Sequence, residues 1–238
     1  MNKEKFKACV DKCINLETKY NIGTYQEKTV HKVVKDYYCD NPLYQEVPIF
    51  GCVADIAKEK TIIEIQTKAF SKLKVKLDRY PDDYNVIIVY PIPHTKIINW
   101  IDPKTKEVVD TRKSPKKGNV FSAFKELYTI RNYLPKKNLT IKILLFDCIE
   151  YKKLNKKGTK HRGTEREDII PTGLVDEIEI KDYKMFLHDD LDMFSALEYA
   201  KKAGCPLDIA RRVINILIIL NLVCLDHKDG KKYIYRKV

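Results

Sequence analysis

The 238-residue sequence lacks any long hydrophobic run. A membrane-spanning helix needs about 20 consecutive apolar residues, whereas the longest apolar stretch, residues 213–225, is interrupted by Asn215 and Asn221. The N-terminal residues 1–5 are largely charged and contain no apolar segment of the kind that forms a signal peptide. We therefore expect a cytoplasmic protein that has no membrane partner.

The cysteines lack the spacing of a disulfide framework or of a zinc finger. There are seven, an odd number, and they form no paired pattern. Cys9 and Cys13 lie four residues apart in a predicted helix, but no second pair of Cys or His follows at zinc-finger distance. This usage is typical of reduced thiols in a cytosolic protein, and we expect no structural zinc.

Acidic residues are in the minority. Lys and Arg number 45 against 33 Asp and Glu, which gives a net charge of +12. Such an excess attracts polyanions and supplies the electrostatic part of nucleic-acid binding. Because the chain is also rich in Lys, Ile and Asn, as proteins from AT-rich genomes are, the charge supports a nucleic-acid partner without requiring one.

The order of predicted elements indicates an α/β core over residues 1–150. Apolar residues at 30, 33, 34 and 37 follow the helical period, and the apolar run 85–90 is typical of a central strand buried on both faces. Residues 69–80 fit a strand or a helix, and the spacing of Phe70, Leu73 and Leu77 favours a helix. The predicted helices are 4–19, 24–38, 69–80 and 121–134, and the predicted strands are 43–49, 52–57, 61–66, 85–90, 96–101, 106–112 and 139–149. Helices alternating with strands in this way predict a mixed sheet flanked by helices.

Residues 151–185 are expected to form a basic loop and linker. Lys157, Lys160 and Arg162 belong to a cluster of cations that contains two glycines and no apolar period. Such a segment either contacts a phosphate backbone or acts as a disordered tether.

Residues 186–238 are expected to form a separate small domain. A helix over 193–203, a turn at Gly204-Cys205, a helix from Pro206 to Asn221 and a hairpin turn at Asp229-Gly230 follow one another. This pattern resembles the winged helix-turn-helix. The resemblance implies that Arg211 and Arg212 meet base edges and that Lys231 reaches phosphate from the wing. A dimerisation or packing module is the alternative.

Two carboxylates on neighbouring predicted strands are the main chemical signal. A two-residue loop at Glu59-Lys60 pairs Lys58 with Thr61 and places Asp55 opposite Glu64. Directly opposed residues have Cβ atoms about 4.5–5.5 Å apart, and like charges this close repel unless something compensates, usually a divalent metal. The alternative is ordinary exposed charge on a polar sheet face.

Together with their elements, Glu27, Asp55, Glu64 and Gln66 resemble the PD-(D/E)XK nuclease superfamily over about residues 24–92. The pattern Glu27-x-x-x-His31-x-x-x-Lys35, followed by the two strand motifs, is similar to its competence-associated CoiA-like branch. The resemblance implies a restriction-endonuclease-like core that hydrolyses DNA. It also implies that Asp55 and Glu64 hold Mg²⁺ or Mn²⁺ and that Glu27 assists.

Gln66 departs from that family's pattern, in which a lysine stands at this position. The resemblance implies that Gln66 orients the attacking water, and Lys68, Lys72 or Lys35 are candidates for the missing cation. A catalytically inactive DNA-binding protein and a transcription regulator are the alternative functions. RNA is an alternative substrate, and a homodimer is compatible with this architecture.

Overall fold

The computed structural model of the chain describes residues 1–19, 28–155 and 166–238. The α-helices are α1 (Lys3–Lys19), α2 (Lys28–Tyr38), α3 (Lys74–Arg79), α4 (Phe124–Leu127), α5 (Ala196–Ala203) and α6 (Leu207–Ile219). The strands are β1 (Gln45–Ile49), β2 (Cys52–Lys58), β3 (Thr61–Ile65), β4 (Asn85–Ile101), β5 (Val108–Lys113), β6 (Leu139–Lys153), β7 (Arg166–Ile180), β8 (Met193–Ser195), β9 (Val223–Asp229) and β10 (Lys232–Lys237).

The main sheet has the strand order β1-β2-β3-β4-β6-β7, and β5 pairs with β4. The pairs β3–β4 and β4–β6 are parallel, while β1–β2, β2–β3, β4–β5 and β6–β7 are antiparallel. Parallel neighbours need crossover connections, and here α3 and α4 with its flanking 3-10 turns provide them. The mixed sheet flanked by helices that the sequence predicts is therefore confirmed.

Each face of the sheet packs against its own set of helices. Ile62 and Ile88 belong to the core that also contains Leu77 of α3 and Phe124 of α4. Ile65 and Val89 belong to the core that contains residues of α1 and α2. Because successive strand residues face opposite sides, the complete burial of both Ile88 and Val89 confirms that β4 is covered on both faces.

Three elements differ from the sequence-based expectation. The strands expected at 85–90 and 96–101 are one strand, β4, which passes through Pro91 and Pro93 with a register shift between Pro93 and Lys96. The helix expected at 121–134 is a short α-helix between two 3-10 turns, with a non-helical residue at Ile130. The expected linker is wrong for residues 166–180, because β7 pairs there with β6.

The C-terminal elements follow the order helix, turn, helix, hairpin. Gly204 adopts the left-handed conformation with φ +60° and ends α5, and Pro206 stands at the N-cap of α6 rather than at its first turn. Asp229 pairs with Lys232, so the hairpin loop is Gly230-Lys231, and β8 adds a third strand. The buried residues of α6 belong to the same continuous core as Phe124 of α4.

Within the described ranges, no helix is both long and apolar enough to cross a membrane.

Phe124 tests the continuity of this core. It is completely buried, and its ring centroid lies 4.8 Å from that of Phe186, which precedes the C-terminal elements. We expect Phe124→Ala to lower the free energy of unfolding by about 3–5 kcal/mol, whereas Leu43→Ala, at a residue that is 82% exposed, changes it by less than about 0.5 kcal/mol. Urea denaturation of the wild type, followed by circular dichroism and tyrosine fluorescence, should give coincident transitions, and two separate transitions would contradict one shared core.

Candidate active site

Asp55 lies where the pairing of β2 with β3 ends. The ladder runs from Lys58–Thr61 to Ile56–Ile63, as the two-residue loop predicts, and it ends there, one residue before Asp55 and Glu64. Beyond this point a side chain replaces the backbone as hydrogen-bond acceptor, because Asp55 Oδ2 accepts a hydrogen bond from the N–H of Ile65 at 2.6 Å. The Asp55 carboxylate therefore lies against the backbone of the residue that follows Glu64.

Asp55 is held in its ionised form. Its side chain is 14% exposed, and its Oδ2 lies 3.3 Å from Nε2 of His31 on α2. Burial alone would raise the pKa of Asp55, but His31, the N–H of Ile65 and the positive charge of Lys76 together lower it. An ionised carboxylate at a partly open position is a suitable metal ligand or hydrogen-bond acceptor.

Glu64 is the more buried of the two carboxylates. Its side chain is 1% exposed; Oε2 accepts a hydrogen bond from Lys76 Nζ at 2.6 Å, and Oε1 accepts a short one from the Tyr80 hydroxyl. Burial raises the pKa of Glu64, and the charge of Asp55 adds to this, although Lys76 and Tyr80 oppose it. Both oxygens of Glu64 are thus engaged by groups on or next to α3.

Lys76 is the functional residue that the sequence reasoning missed. It also donates to the carbonyl of Val53 at 2.7 Å, so it connects α3 to β2 and β3. A signal was present, since Lys76 and Tyr80 are four residues apart and therefore lie on one helical face. That face points to Glu64 because Glu64 shares the face of Ile62, which α3 covers.

The two carboxylates offer oxygen ligands, which are the ligand type that Mg²⁺ prefers. Mg²⁺ is usually held by one or two carboxylates and keeps several waters, and a carboxylate oxygen that accepts one hydrogen bond still has a second lone pair. In the part of the chain that the structure describes, no group of three His, Cys, Asp or Glu side chains is arranged to hold a metal. Asp55 and Glu64 would therefore hold such an ion through a water-rich shell, and the Lys76 ammonium would compete with it.

Two other predicted catalytic residues, Gln66 and Lys68, follow β3 directly in the chain. The Gln66 side chain donates to the carbonyl of Lys68, and its backbone N–H donates to Val89 at 2.9 Å. Lys68 and Lys72 are exposed, and Lys35 is paired with Glu46. The predicted residues outside the described ranges are Glu27, Lys157, Lys160 and Arg162.

The predicted cations of the C-terminal elements line one groove. This basic groove, of about 790 Å³, lies between α5, α6 and the β9–β10 hairpin, and its cationic residues are Arg211, Arg212, Lys231 and Lys232. Within the described residues none of these four forms an ion pair, and Asp208 is the acid among the lining residues. Arg212 also lies over the ring of Tyr128, 5.4 Å from the ring centroid. Because Tyr128 follows α4, the core contributes to the wall of the basic groove.

Lys76→Met tests how far the site depends on the buried pair. Leaving Glu64 without its cation should lower the free energy of unfolding by about 3–5 kcal/mol at pH 7. A group whose pKa is raised on folding contributes most below its unfolded pKa and loses that contribution as the pH rises. The deficit should therefore shrink as the pH falls from 7 toward 4, where Glu64 is protonated.

Lys74→Met is the matched control, because Lys74 is exposed on the same helix. Urea titrations of both variants and the wild type at several pH values measure the difference. Equal stability of the two variants at pH 7, or a deficit independent of pH, would contradict the assignment.

Comparison with known proteins places the core in a family. A Treponema pallidum (strain Nichols) protein described as "Uncharacterized protein" is 29% identical over 138 residues, which are 58% of this chain and 55% of that protein. The chain thus spans about half the length of this curated relative. No solved structure matches the chain. A family described as "Domain of unknown function (DUF8091)" matches residues 28–181, more than half of the chain, including Asp55, Glu64 and Lys76. The chain therefore belongs to the DUF8091 family.

Proposed function

We propose that the protein is a metal-dependent nuclease that hydrolyses phosphodiester bonds in DNA. The observation that carries this proposal is that Asp55 on β2 bonds to the backbone N–H of Ile65, next to Glu64 on β3, while the Lys76 ammonium donates to Glu64. Two carboxylates and a lysine are the groups that phosphodiester hydrolysis needs for holding a cation and for balancing charge on phosphate. The α2-β1-β2-β3-α3-β4 order also agrees with the nuclease-like core that the sequence resemblance implies.

Each side chain has a separate task in this proposal. Asp55, ionised and fixed by the N–H of Ile65 and by His31, is the primary ligand. Glu64 is the second ligand, and its orientation is fixed by Tyr80. A divalent cation bound there supplies an activated water and offsets charge on the leaving oxygen.

Lys76 supplies the positive charge that Gln66 lacks. Its ammonium is close enough to lower the pKa of Asp55 as well as to donate to Glu64. With Asp55 and Glu64 holding a cation, the Lys76 ammonium would be available to the negative phosphate oxygens. Gln66, whose amide nitrogen donates to the carbonyl of Lys68, fixes the end of β3.

One observation favours a second function, a catalytically inactive nuclease-like protein that binds DNA. Both oxygens of Glu64 already have donors, and Lys76 neutralises one of the two charges without a metal. Titration with Mn²⁺ separates the two functions. A nuclease should show a site that Glu64→Ala removes, whereas an inactive core should show no such site.

The C-terminal elements are proposed to be a winged helix that delivers the core to DNA. Four cations line one groove without an ion pair among the described residues, and such a surface attracts a phosphate backbone. The N-terminal half of α6 carries Arg211 and Arg212, and the hairpin loop carries Lys231. This is the division between base-reading helix and phosphate-binding wing.

Asp55→Asn tests the hydrolytic site, because it removes the charge and keeps the size of the side chain. We expect cleavage of a labelled duplex with Mg²⁺ to fall at least about 100-fold, while duplex affinity stays unchanged. Asp82→Asn, at an exposed residue paired with Lys136, is the control. Retained cleavage by Asp55→Asn would refute the site, and degradation of RNA with no action on DNA would reassign the substrate.

The double variant Arg211→Ala with Lys231→Ala tests the basic groove. We expect weaker duplex binding and a slope of log affinity against log salt that is shallower by about 2, because each lost phosphate contact removes about 0.9. Lys125→Ala with Lys137→Ala removes the same charge from exposed positions elsewhere. Equal effects of the two double variants would show that only net charge matters.

A further inference from the structure

The wall of the basic groove contains an amide that has no hydrogen-bond partner. Asn215 lies one turn after Arg211 and Arg212 on the same face of α6, and it lines the groove with them. Its Oδ1 is shielded from solvent, yet within the described ranges it accepts no hydrogen bond. A buried polar atom without a partner costs free energy. A ligand that brings a donor into the groove removes this cost, so Asn215 indicates a ligand with hydrogen-bonding edges.

Two tyrosines of β10 line the same groove. Tyr233 and Tyr235 are two residues apart on the strand and therefore lie on one face. Burial raises the pKa of Tyr235, Tyr233 adds to this and the charge of Arg211 opposes it, so the three side chains are neighbours. Tyr235 packs against Phe194, with ring centroids 6.2 Å apart.

Tyr233 offers the exposed aromatic surface of the groove. The Lys228 ammonium lies over its ring, 5.6 Å from the centroid, and the residue is nevertheless 51% exposed. Leu197, on the α5 side of the lining, is also half-exposed. Aromatic rings beside cations are the surfaces on which the bases of single-stranded nucleic acids stack. The groove thus has a surface for flat apolar groups as well as a charge.

The charge of the groove stays positive when its acids are counted. Asp208 is the acid of the lining and stands against the four cations already named. Glu198 lies at the start of α5, where hydrogen bonds from Ser195 lower its pKa and the charge of Lys232 adds to this. Even with Glu198 included, four cations face two acids. Phosphate groups are therefore attracted to the groove.

Tyr128 holds Arg212 in place instead of offering a second stacking surface. Arg131 lies over the Tyr128 ring at 4.4 Å from the centroid and donates to the Tyr128 carbonyl at 3.0 Å, while Arg212 lies 5.4 Å from the same centroid. The ring is thus engaged by two guanidinium groups. A guanidinium oriented in this way suits bidentate contact with phosphate.

The shape of the groove favours an unpaired strand over a duplex. Its lining comes from α5, α6, the hairpin and Tyr128, and it encloses about 790 Å³. Duplex readout needs a protein element that enters the major groove, whereas Arg211 and Asn215 line the inside of a concave surface. The faces of paired bases are covered by their neighbours in the stack. An unpaired strand brings both the faces and the edges of its bases to the protein.

We propose that the basic groove binds a single strand of DNA, with bases stacked on Tyr233 and hydrogen-bonded to Asn215 and with phosphates against Arg212 and Lys231. The inference rests on the proposed function, because it makes the groove the place where the substrate of the core is held. It names the substrate class as DNA that carries an unpaired segment. Each base has donors and acceptors along its edge, so the Asn215 contact recognises a base without selecting one sequence.

Fluorescence anisotropy with a labelled single strand of about 16 nucleotides tests the proposal. EDTA is present, so binding is measured without cleavage. We expect the strand to bind at least tenfold more tightly than a phosphodiester chain of equal length built from abasic units, because that chain keeps the charge and lacks the bases. Equal binding of the abasic chain would overturn base recognition. A blunt duplex of the same sequence should compete at least tenfold more weakly, and equal competition would overturn the preference for an unpaired strand.

Tyr233→Ala and Asn215→Ala test the two contacts with bases. We expect each to weaken strand binding at least about fivefold and to leave the affinity for the abasic chain unchanged. Tyr233→Phe keeps the ring and should restore binding. Leu225→Ala is the matched control, since Leu225 is 51% exposed on the same hairpin and does not line the groove.

Thermal unfolding separates lost contacts from lost folding in these variants. Asn215→Ala should unfold at the wild-type temperature or above it, because Oδ1 has no partner to lose. Tyr233 is exposed, so Tyr233→Ala should also fold. Unchanged strand affinity in a folded Tyr233→Ala protein would overturn the assignment.

RNA and an acidic peptide are the alternative occupants of the groove. An RNA strand of the same sequence should bind no more tightly than the DNA strand, and a glutamate-rich peptide should displace the DNA strand at least tenfold less well than unlabelled DNA does. RNA binding that is tenfold tighter would overturn the assignment in favour of RNA. Displacement by the peptide at the concentrations at which DNA displaces the strand would overturn it in favour of a protein partner.

Asp55→Asn distinguishes failure of this inference from failure of the proposed function. In EDTA that variant should bind the strand as the wild type does, because Asp55 does not line the groove. Base-dependent strand binding by a wild type that cleaves nothing with Mg²⁺ would remove the nuclease proposal and leave the groove assignment. Cleavage together with equal binding of the abasic chain would remove the groove assignment alone.

Discussion

The ion pair between Glu64 on β3 and Lys76 on α3 is the interaction on which the organisation of this site depends. A carboxylate that is 1% exposed needs a compensating charge, and the crossover helix provides it from the next element of the chain. Because Lys76 also donates to Val53 on β2, one ammonium connects two strands and the helix above them. The position of α3, and with it the parallel placement of β4, follows from this pair and from the apolar contacts of Leu77.

Glu150 is a second buried carboxylate paired with lysine, but the net charge of its cluster has the opposite sign. Asp55 and Glu64 stand against the single ammonium of Lys76, whereas Glu150 stands alone among Lys96, Lys152 and Arg166. The first cluster is therefore net negative and the second is net positive. The first cluster lies beside Ile88 of β4 and the second beside Ile98, so one strand carries both charge clusters at separate levels.

Local rules predicted the elements that depend on local chemistry. The period of two and the two-residue loop, in which Glu59 takes φ +53°, gave the correct register from Lys58–Thr61 to Ile56–Ile63. The role of Lys76 was not predicted because its contact with Glu64 depends on how α3 packs onto the sheet, and residue spacing does not determine that packing. β7 escaped because Pro171 and Gly173 are typical of loops, yet here they pair with Cys148 and Asp147, between which the register shifts.

The basic groove extends the same electrostatic reasoning beyond the core. Many lysines of the core are paired with carboxylates, as at Lys35, Lys76 and Lys96, while the four cations of the groove repel one another and share Asp208 as a lining acid. This repulsion is relieved when a polyanion enters, so the groove contributes binding free energy that falls with salt. Since Tyr128 of the core stacks with both Arg131 and Arg212, the groove is built on the core rather than tethered to it. If the groove binds nucleic acid as proposed, that nucleic acid is consequently held in a fixed orientation relative to Asp55 and Glu64.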